Sequence, residues 1–316
     1  MEKGKIAVVG AGLMDHGIAQ AFAGVGYDVA IQDPDEETLN RVPERVRTNL
    51  EALGLDPAPA GRIRLEPRLE DAVRDSEFVF EAAPENLEIK QKIFEDLGTL
   101  AGEETILASN TSVMSTREIG RDCRNPGRVV GTQWWNPPYL VPLVEVVQAT
   151  RTRDSTVRRT MELLARVGKS PVHIRRDVPG FVGNRLQHAL WREAFALIDD
   201  GVCDAETIDL VVKNSFGTRL AVLRPVENAD LVGLDLTLSV HDYLLPHLNA
   251  SPKPAPGLHE RVRRGDLGMK TGRGFREWTP EQADAVRERL VRHLADVWAG
   301  GETDEPGPTR PNGGET

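Results

Sequence analysis

Three glycines, Gly10, Gly12 and Gly17, crowd the segment GAGLMDHG, and Asp33 follows a short way downstream. Glycine at such a turn lets the backbone come close to a pyrophosphate, and a helix beginning there presents amide N–H groups that attract it. Gly10, Gly12, Leu13 and Met14 are therefore the candidate phosphate contacts, and Asp33 is spaced to bond a ribose hydroxyl. The chemistry indicated is dinucleotide binding. One letter departs from it: the third glycine of the Gly-x-Gly-x-x-Gly pattern is Asp15. A carboxylate roughly 5 Å from a phosphate, at an effective dielectric near 20, costs about 3 kcal/mol. The alternative is that Asp15 turns away and caps the helix, a placement the helix dipole favours by about 0.3–1 kcal/mol. Either way the expected hold on a dinucleotide is weakened.

The elements needed to position these residues are legible around them. Ile6–Val9 is a short apolar run, Met14, Gly17, Ile18, Ala21, Phe22 and Val25 recur at helical spacing, and Asp28–Gln32 reads as a second strand. Strand and helix then alternate. A polar helix is predicted from Pro34 to Leu55 with Asp35 as its cap, strands over Glu77–Ala83, Thr105–Ser109, Arg128–Trp134, Leu143–Gln148 and Pro171–Arg175, and helices over Glu85–Leu100 and Ser155–Val167. This order predicts an α/β, Rossmann-type doubly wound sheet, mainly parallel, with ligands beyond the carboxyl ends of the strands.

The character changes at Val178–Gly180. Leu186, Leu190, Ala194, Leu197 and Ile198 follow helical spacing to Gly201, and further helices are predicted over Ala205–Asn214, Leu231–His247 and Pro280–Trp298. The expected organisation is a dinucleotide-binding domain at 1–179, an all-helical domain at 180–299, and a disordered Gly-, Pro- and Glu-rich tail at 300–316. An apolar helical domain of this kind commonly buries a face against a second subunit, so a homodimer is expected.

Composition narrows the partners. A formal charge of -10 over 316 residues argues against nucleic acid, which is bound through clustered Lys and Arg. Cys123 and Cys203 are too few and too far apart for a disulfide framework or zinc site, and no metal is expected. No stretch has the length of a membrane span and no signal-peptide pattern opens the chain, so a cytoplasmic enzyme is expected.

Several motifs, in order, resemble the 3-hydroxyacyl-CoA dehydrogenase family over nearly the whole folded length. They are GAGLMDHG at Gly10–Gly17, EAAPENLEIK at Glu81–Lys90, SNTS at Ser109–Ser112, WWNPP at Trp134–Pro138, LVEVV at Leu143–Val147, DVPGFVGNRL at Asp177–Leu186 and GMKTGRGF at Gly268–Phe275. The resemblance implies NAD as cofactor and a β-hydroxy or β-oxo acyl thioester or acid as substrate. It also implies a proton-accepting histidine before the aromatic pair, oriented by a glutamate twelve positions on. Glu145 matches the glutamate; the histidine position is Gln133. Ser112 and Asn136 match residues that bond the substrate oxygen and the nicotinamide region, Asn184 a substrate-side amide, and Glu85 and Lys90 residues near the cofactor.

A carboxamide does not titrate near neutral pH, and general acid–base assistance is worth about 10²–10⁴ in rate. Glu145, deprived of a cationic partner and left facing an amide, is expected to have its pKa raised by desolvation and to act as acid or base itself, or else to sit idle against Gln133. His16 and His188, on predicted helices, do not obviously replace the missing imidazole. Two departures, both directed at hydride transfer, favour a repurposed non-redox enzyme doing enolate chemistry (lyase, hydrolase, isomerase or cyclase), with NAD weakly held or lost. The alternatives are NAD-dependent oxidation or reduction of a 3-hydroxy substrate and a catalytically silent binding protein.

Overall fold

The computed structural model describes residues 4–300, so the sequence expectation for the tail from residue 301 onward lies outside the described residues. Among the described residues the chain divides into two compact units, one formed by residues 4–184 with residues 290–300, the other by Arg185–Arg289.

The first unit is built on eight strands: β1 (Lys5–Val9), β2 (Asp28–Gln32), β3 (Ile63–Glu66), β4 (Phe78–Glu81), β5 (Ile106–Ser109), β6 (Val129–Trp134), β7 (Leu143–Val147) and β8 (Ser170–Ile174). They form one sheet in the order β3-β2-β1-β4-β5-β6-β7-β8. All neighbours are parallel except β6 and β7, which are antiparallel. Its helices are α1 (Leu13–Gly24), α2 (Glu36–Asn40), α3 (Val42–Ala52), α4 (Leu69–Val73), α5 (Leu87–Leu100), α6 (Thr116–Ile119) and α7 (Asp154–Arg166). The Asp35 side chain caps α2 by accepting from the Glu37 amide, as the sequence predicts, and Asn86 caps α5 in the same way through Ile89.

Apolar strands buried on both faces explain the double winding. Ile6 and Val8 of β1 belong to one core with Ile18, Phe22, Phe80 and Trp134, while Ala7 and Val9 belong to another with Phe94, Leu97 and Ile119. Phe22 packs on Phe80 at 4.9 Å between ring centroids, and Trp134 lies edge-on to Phe80 at 6.0 Å. β1 and α1 are thereby fixed against β4 and β6, which carry the site.

α8 (Gly183–Asp199) begins at the end of the first unit and runs into the second, which also holds α9 (Ala205–Asn214), α10 (Pro225–Val232), α11 (Leu234–Leu244) and α12 (Pro256–Arg264); α13 (Pro280–Gly300) runs back into the first. Gly201 (φ +69°) follows the end of α8 in the left-handed conformation expected of a helix stop. The stretch Leu231–His247, where at least one helix is predicted, holds the end of α10, a break at Gly233 (φ +101°) and α11. α10 and α12 both open on proline, which serves at a first helical position because its missing N–H has no partner there in any case. Phe195 stacks on Phe275 at 4.6 Å, with the Arg261 guanidinium 4.1 Å from that ring. Large apolar side chains remain uncovered on α10 and α11, Val226 at 76% and Leu231 at 72% exposure among them, with Leu234 and Leu238.

Candidate active site

The glycine turn sits at the carboxyl end of β1, and its first residue, Gly10, takes φ +111°, which only glycine adopts readily. Asp33 braces the turn from the end of β2: one carboxylate oxygen accepts from the Ala11 amide at 2.9 Å, the other from Asp35 at 2.9 Å. The Arg45 guanidinium adds a bond to the Ala11 carbonyl at 3.2 Å. Leu13 and Met14 are the first two residues of α1, where amide donors have no intrahelical partner.

Asp15 caps α1, as the second of the two expectations has it, but does so from a buried position. It is buried against Gly10, its Oδ2 accepting from the Gly12 amide at 2.9 Å in a capping arrangement, while Oδ1 has no partner. A Cβ on Gly10 would come within 2.4 Å of that Oδ1, so the first glycine of the turn makes room for the departure at the third glycine position. Burial pushes the Asp15 carboxyl up to about 8, against the Gly12 hydrogen bond and helped by the nearby Glu81 and Asp33 carboxylates. At neutral pH the group is mainly the uncharged acid, and the repulsion expected from the sequence is largely absent. His16 is buried beside it, Nδ1 2.7 Å from the Gly12 carbonyl, and burial lowers its pKa. It is a structural imidazole.

A polar chain continues across the strand ends. Glu81, which the sequence reading passed over as part of an apolar strand, is fully buried and accepts from Lys90 Nζ at 2.7 Å and Ser109 Oγ at 2.7 Å. Lys90, expected near the cofactor, is itself fully buried, and its ammonium also donates to the Ala83 carbonyl at 3.0 Å. It joins α5 to β4 and presents no cation at the surface. Removing one partner of such a buried pair strands the other charge, at a cost of about 3–5 kcal/mol. Glu85 lies 3.6 Å from Lys90 and its other oxygen accepts from Thr111 Oγ1 (2.6 Å) and the Ser112 amide (2.8 Å). Glu85 is thus the buckle of the SNTS loop. The Ser112 carbonyl accepts from Asn184 Nδ2 at 2.8 Å, which ties that loop to the start of α8.

Gln133 and Glu145 stand directly opposite each other in the antiparallel β6–β7 pair, on one face of the sheet, and both are buried. Glu145 is not left facing an amide alone. Its Oε1 accepts from the Val182 amide at 2.9 Å and the Gly183 amide at 3.2 Å, a geometry completed by Phe181 in the left-handed conformation (φ +49°). Glu145 Oε2 and Gln133 Oε1 have no partner among the described residues. His173 does not substitute for the missing imidazole: it pairs with Val146, on the opposite face of the sheet from Glu145, and contacts Gln148 at 2.9 Å.

Asn136 is exposed at the head of a loop whose far side is held by Lys169. That ammonium, buried without a carboxylate, donates to the Pro138 and Val141 carbonyls at 2.5 and 3.0 Å, and burial pulls its pKa down to about 8. The sequence offered no signal for Lys169 beyond a lysine entering a strand. Asp177, within the motif DVPGF, accepts from Ser115 Oγ at 2.7 Å and the Arg117 amide at 2.9 Å and so caps α6. The structure thus joins Glu85, Ser112, Asn184, Glu145 and Gln133 into one site and Gly10, Gly12 and Asp33 into another, with Glu81 and Lys90 as buried struts.

A glycine turn feeding a helix N-terminus at the carboxyl edge of a doubly wound sheet defines a Rossmann-type dinucleotide-binding protein. Comparison with known proteins carries this further. The NAD-binding domain of 3-hydroxyacyl-CoA dehydrogenase matches residues 5–178, and the C-terminal domain of the same family matches residues 180–278. The chain belongs to the 3-hydroxyacyl-CoA dehydrogenase family. It is 35% identical to 5-formyl-3-hydroxy-2-methylpyridine 4-carboxylate 5-dehydrogenase of Mesorhizobium japonicum, over 92% of this chain and 96% of the relative. It is 38% identical to L-carnitine dehydrogenase of Streptomyces griseus, over 93% and 88%. A crystal structure of the first of these enzymes, described as an NAD+ dependent dismutase, superposes with a TM-score of 0.88 at 34% identity, covering 95% of this chain and all of that one.

Proposed function

We propose that the protein is an NAD-dependent oxidoreductase of a small 3-hydroxy acid, with Glu145 in place of an imidazole as proton acceptor. The observation that carries this reading is the burial of Asp15 against Gly10, which keeps the carboxyl in the first turn of α1 mainly uncharged at neutral pH. The residues fit the coenzyme: Leu13 and Met14 amides toward the pyrophosphate, Gly10 and Gly12 for its close approach, and Asp33 toward a ribose. When bound, the dinucleotide supplies a hydride acceptor at its nicotinamide. The protein's part is to hold the substrate near Ser112, Asn136 and Asn184 and to receive a hydroxyl proton at Glu145 Oε2, the oxygen that the Val182 and Gly183 amides leave unused. Relatives that act on a pyridine carboxylate and on carnitine support a small free acid over a coenzyme A thioester.

The non-redox reading, an acid–base reaction through an enolate, rests on Gln133 alone and draws on the same carboxylate. Titration of the protein with NADH, followed by fluorescence, separates the two. Micromolar binding is expected; absence of binding at millimolar NADH would remove the redox reading and leave the other standing.

We further infer that a second copy of the chain covers the apolar faces of α10 and α11, since patches of this kind on soluble proteins mark association surfaces. Sedimentation is expected to show a dimer, and a Leu234→Asp, Leu238→Asp double variant a monomer or an aggregate. A wild-type monomer at micromolar concentration would refute the assignment.

A further inference from the structure

Trp135 Nε1, Glu145 Oε2 and Gln133 Oε1 are buried and have no hydrogen-bond partner among the described residues. Native proteins pair such atoms with few exceptions, and each exception calls for a reason. Gln133 and Glu145 are cross-strand partners. The Nε1 edge of the Trp135 ring reaches the same place over Gly183, where a Cβ would meet Trp135 Cζ2 at 2.4 Å, Trp135 Cε2 at 3.3 Å and Glu145 Oε2 at 3.2 Å. Only the lack of a side chain at Gly183 admits the indole beside the carboxylate. Trp134 provides the contrast. Its N–H is also unpaired, but its ring is enclosed by Phe22 and Phe80 in the core, on the other face of β6 from Gln133.

An N–H donor next to a carboxylate acceptor complements an oxygen that both accepts and donates, which is what a hydroxyl does. We propose that Trp135 is a specificity-determining residue whose indole N–H donates to the β-oxygen of the substrate while Glu145 Oε2 accepts from that oxygen's hydroxyl. The indole keeps its proton throughout and acts as an orienting donor. The proposal takes its ligand class from the proposed function and adds to it the group that recognises the oxygen.

The test compares binding of 3-hydroxybutyrate and of butyrate, by calorimetry, to the full-length wild type and to Trp135→Phe, which keeps the ring and removes the donor. Wild type is expected to prefer the hydroxy acid by about tenfold, and Trp135→Phe to lose about fivefold of that preference with butyrate binding unchanged. In protein labelled with ¹⁵N at tryptophan, the indole signal missing from Trp135→Phe should move with 3-hydroxybutyrate and stay still with butyrate. Equal preference in variant and wild type overturns the proposal, as would follow if the indole instead closed on Glu145 in solution. Failure of wild type to bind 3-hydroxybutyrate overturns it too. NADH affinity should be the same in wild type and variant, so loss of coenzyme binding in wild type would strike the redox reading and leave the indole assignment to be judged on the acids.

Discussion

Replacing Gln133 by histidine is expected to raise the rate of NAD-linked oxidation of a 3-hydroxy acid substrate by up to about 10²-fold, the part of the usual 10²–10⁴ acid–base contribution that Glu145 alone leaves unrealised. The position is prepared for it. Glu145 stands directly across the β6–β7 pair, already anchored through Oε1 by two backbone amides, with Oε2 free to accept from an imidazole N–H and stabilise its charged form. Glu145→Gln should do the reverse. Its carbonyl oxygen can still accept from Val182 and Gly183, so the loop holds, but no proton acceptor remains and turnover should fall by about 10²-fold or more. Initial rates of NADH formation measure both. A Gln133→His variant that gains nothing, or a Glu145→Gln variant as fast as wild type, would show that the proton leaves by another route; abolition of a native activity by Gln133→His would favour the enolate reading.

Asp15 gives the second large effect, in the dependence of stability on pH. Its pKa is 3.8 as an ordinary side chain and about 8 in the folded protein. Between these values the native state holds the proton that the unfolded chain releases, so the stabilisation is complete below about pH 4 and is lost as pH rises toward 8, by up to about 1.4 kcal/mol per unit. Lys169 acts in the opposite sense over a different window. Its pKa falls from 10.5 to about 8, so the unfolded chain binds the extra proton and stability recovers from about pH 8 to about 10.5. Denaturant midpoints should therefore pass through a minimum near pH 8, and Asp15→Asn should flatten the acid limb alone. NADH affinity should fall above pH 8 as Asp15 ionises beneath the phosphate-binding turn, and stay level in Asp15→Asn. An acid limb identical in wild type and Asp15→Asn would contradict this account.

What the sequence made legible was local. Apolar runs bounded by turn residues marked the strands, because a parallel sheet covered on both faces needs them, and caps such as Asp35 act within two residues of themselves. The missed features depend on distant partners. Val182 and Gly183 lie far along the chain from Glu145, and their amides reach it only because Phe181 takes a left-handed turn that no spacing rule anticipates. Lys90 was placed near the cofactor, and its burial against Glu81 carried no local signal because that carboxylate sits in an apolar strand. Asp15 was read either as a charge against the ligand or as a helix cap; the cap is present, but the small space beside Gly10 that it fills had no local signal. In the helical unit, no helix was predicted to start at Pro225 or Pro256, although each opens one.

The one antiparallel ribbon in the sheet has a last consequence. Because alternate residues of a strand point to opposite sides, residue 133 meets residue 145 only while the intervening stretch keeps its count. Losing or gaining a single amino acid between Trp135 and Pro142 would turn one of the two side chains to the other side of the sheet while every strand could still pair. The length of that connection is thus part of what keeps this carboxylate beside its neighbour.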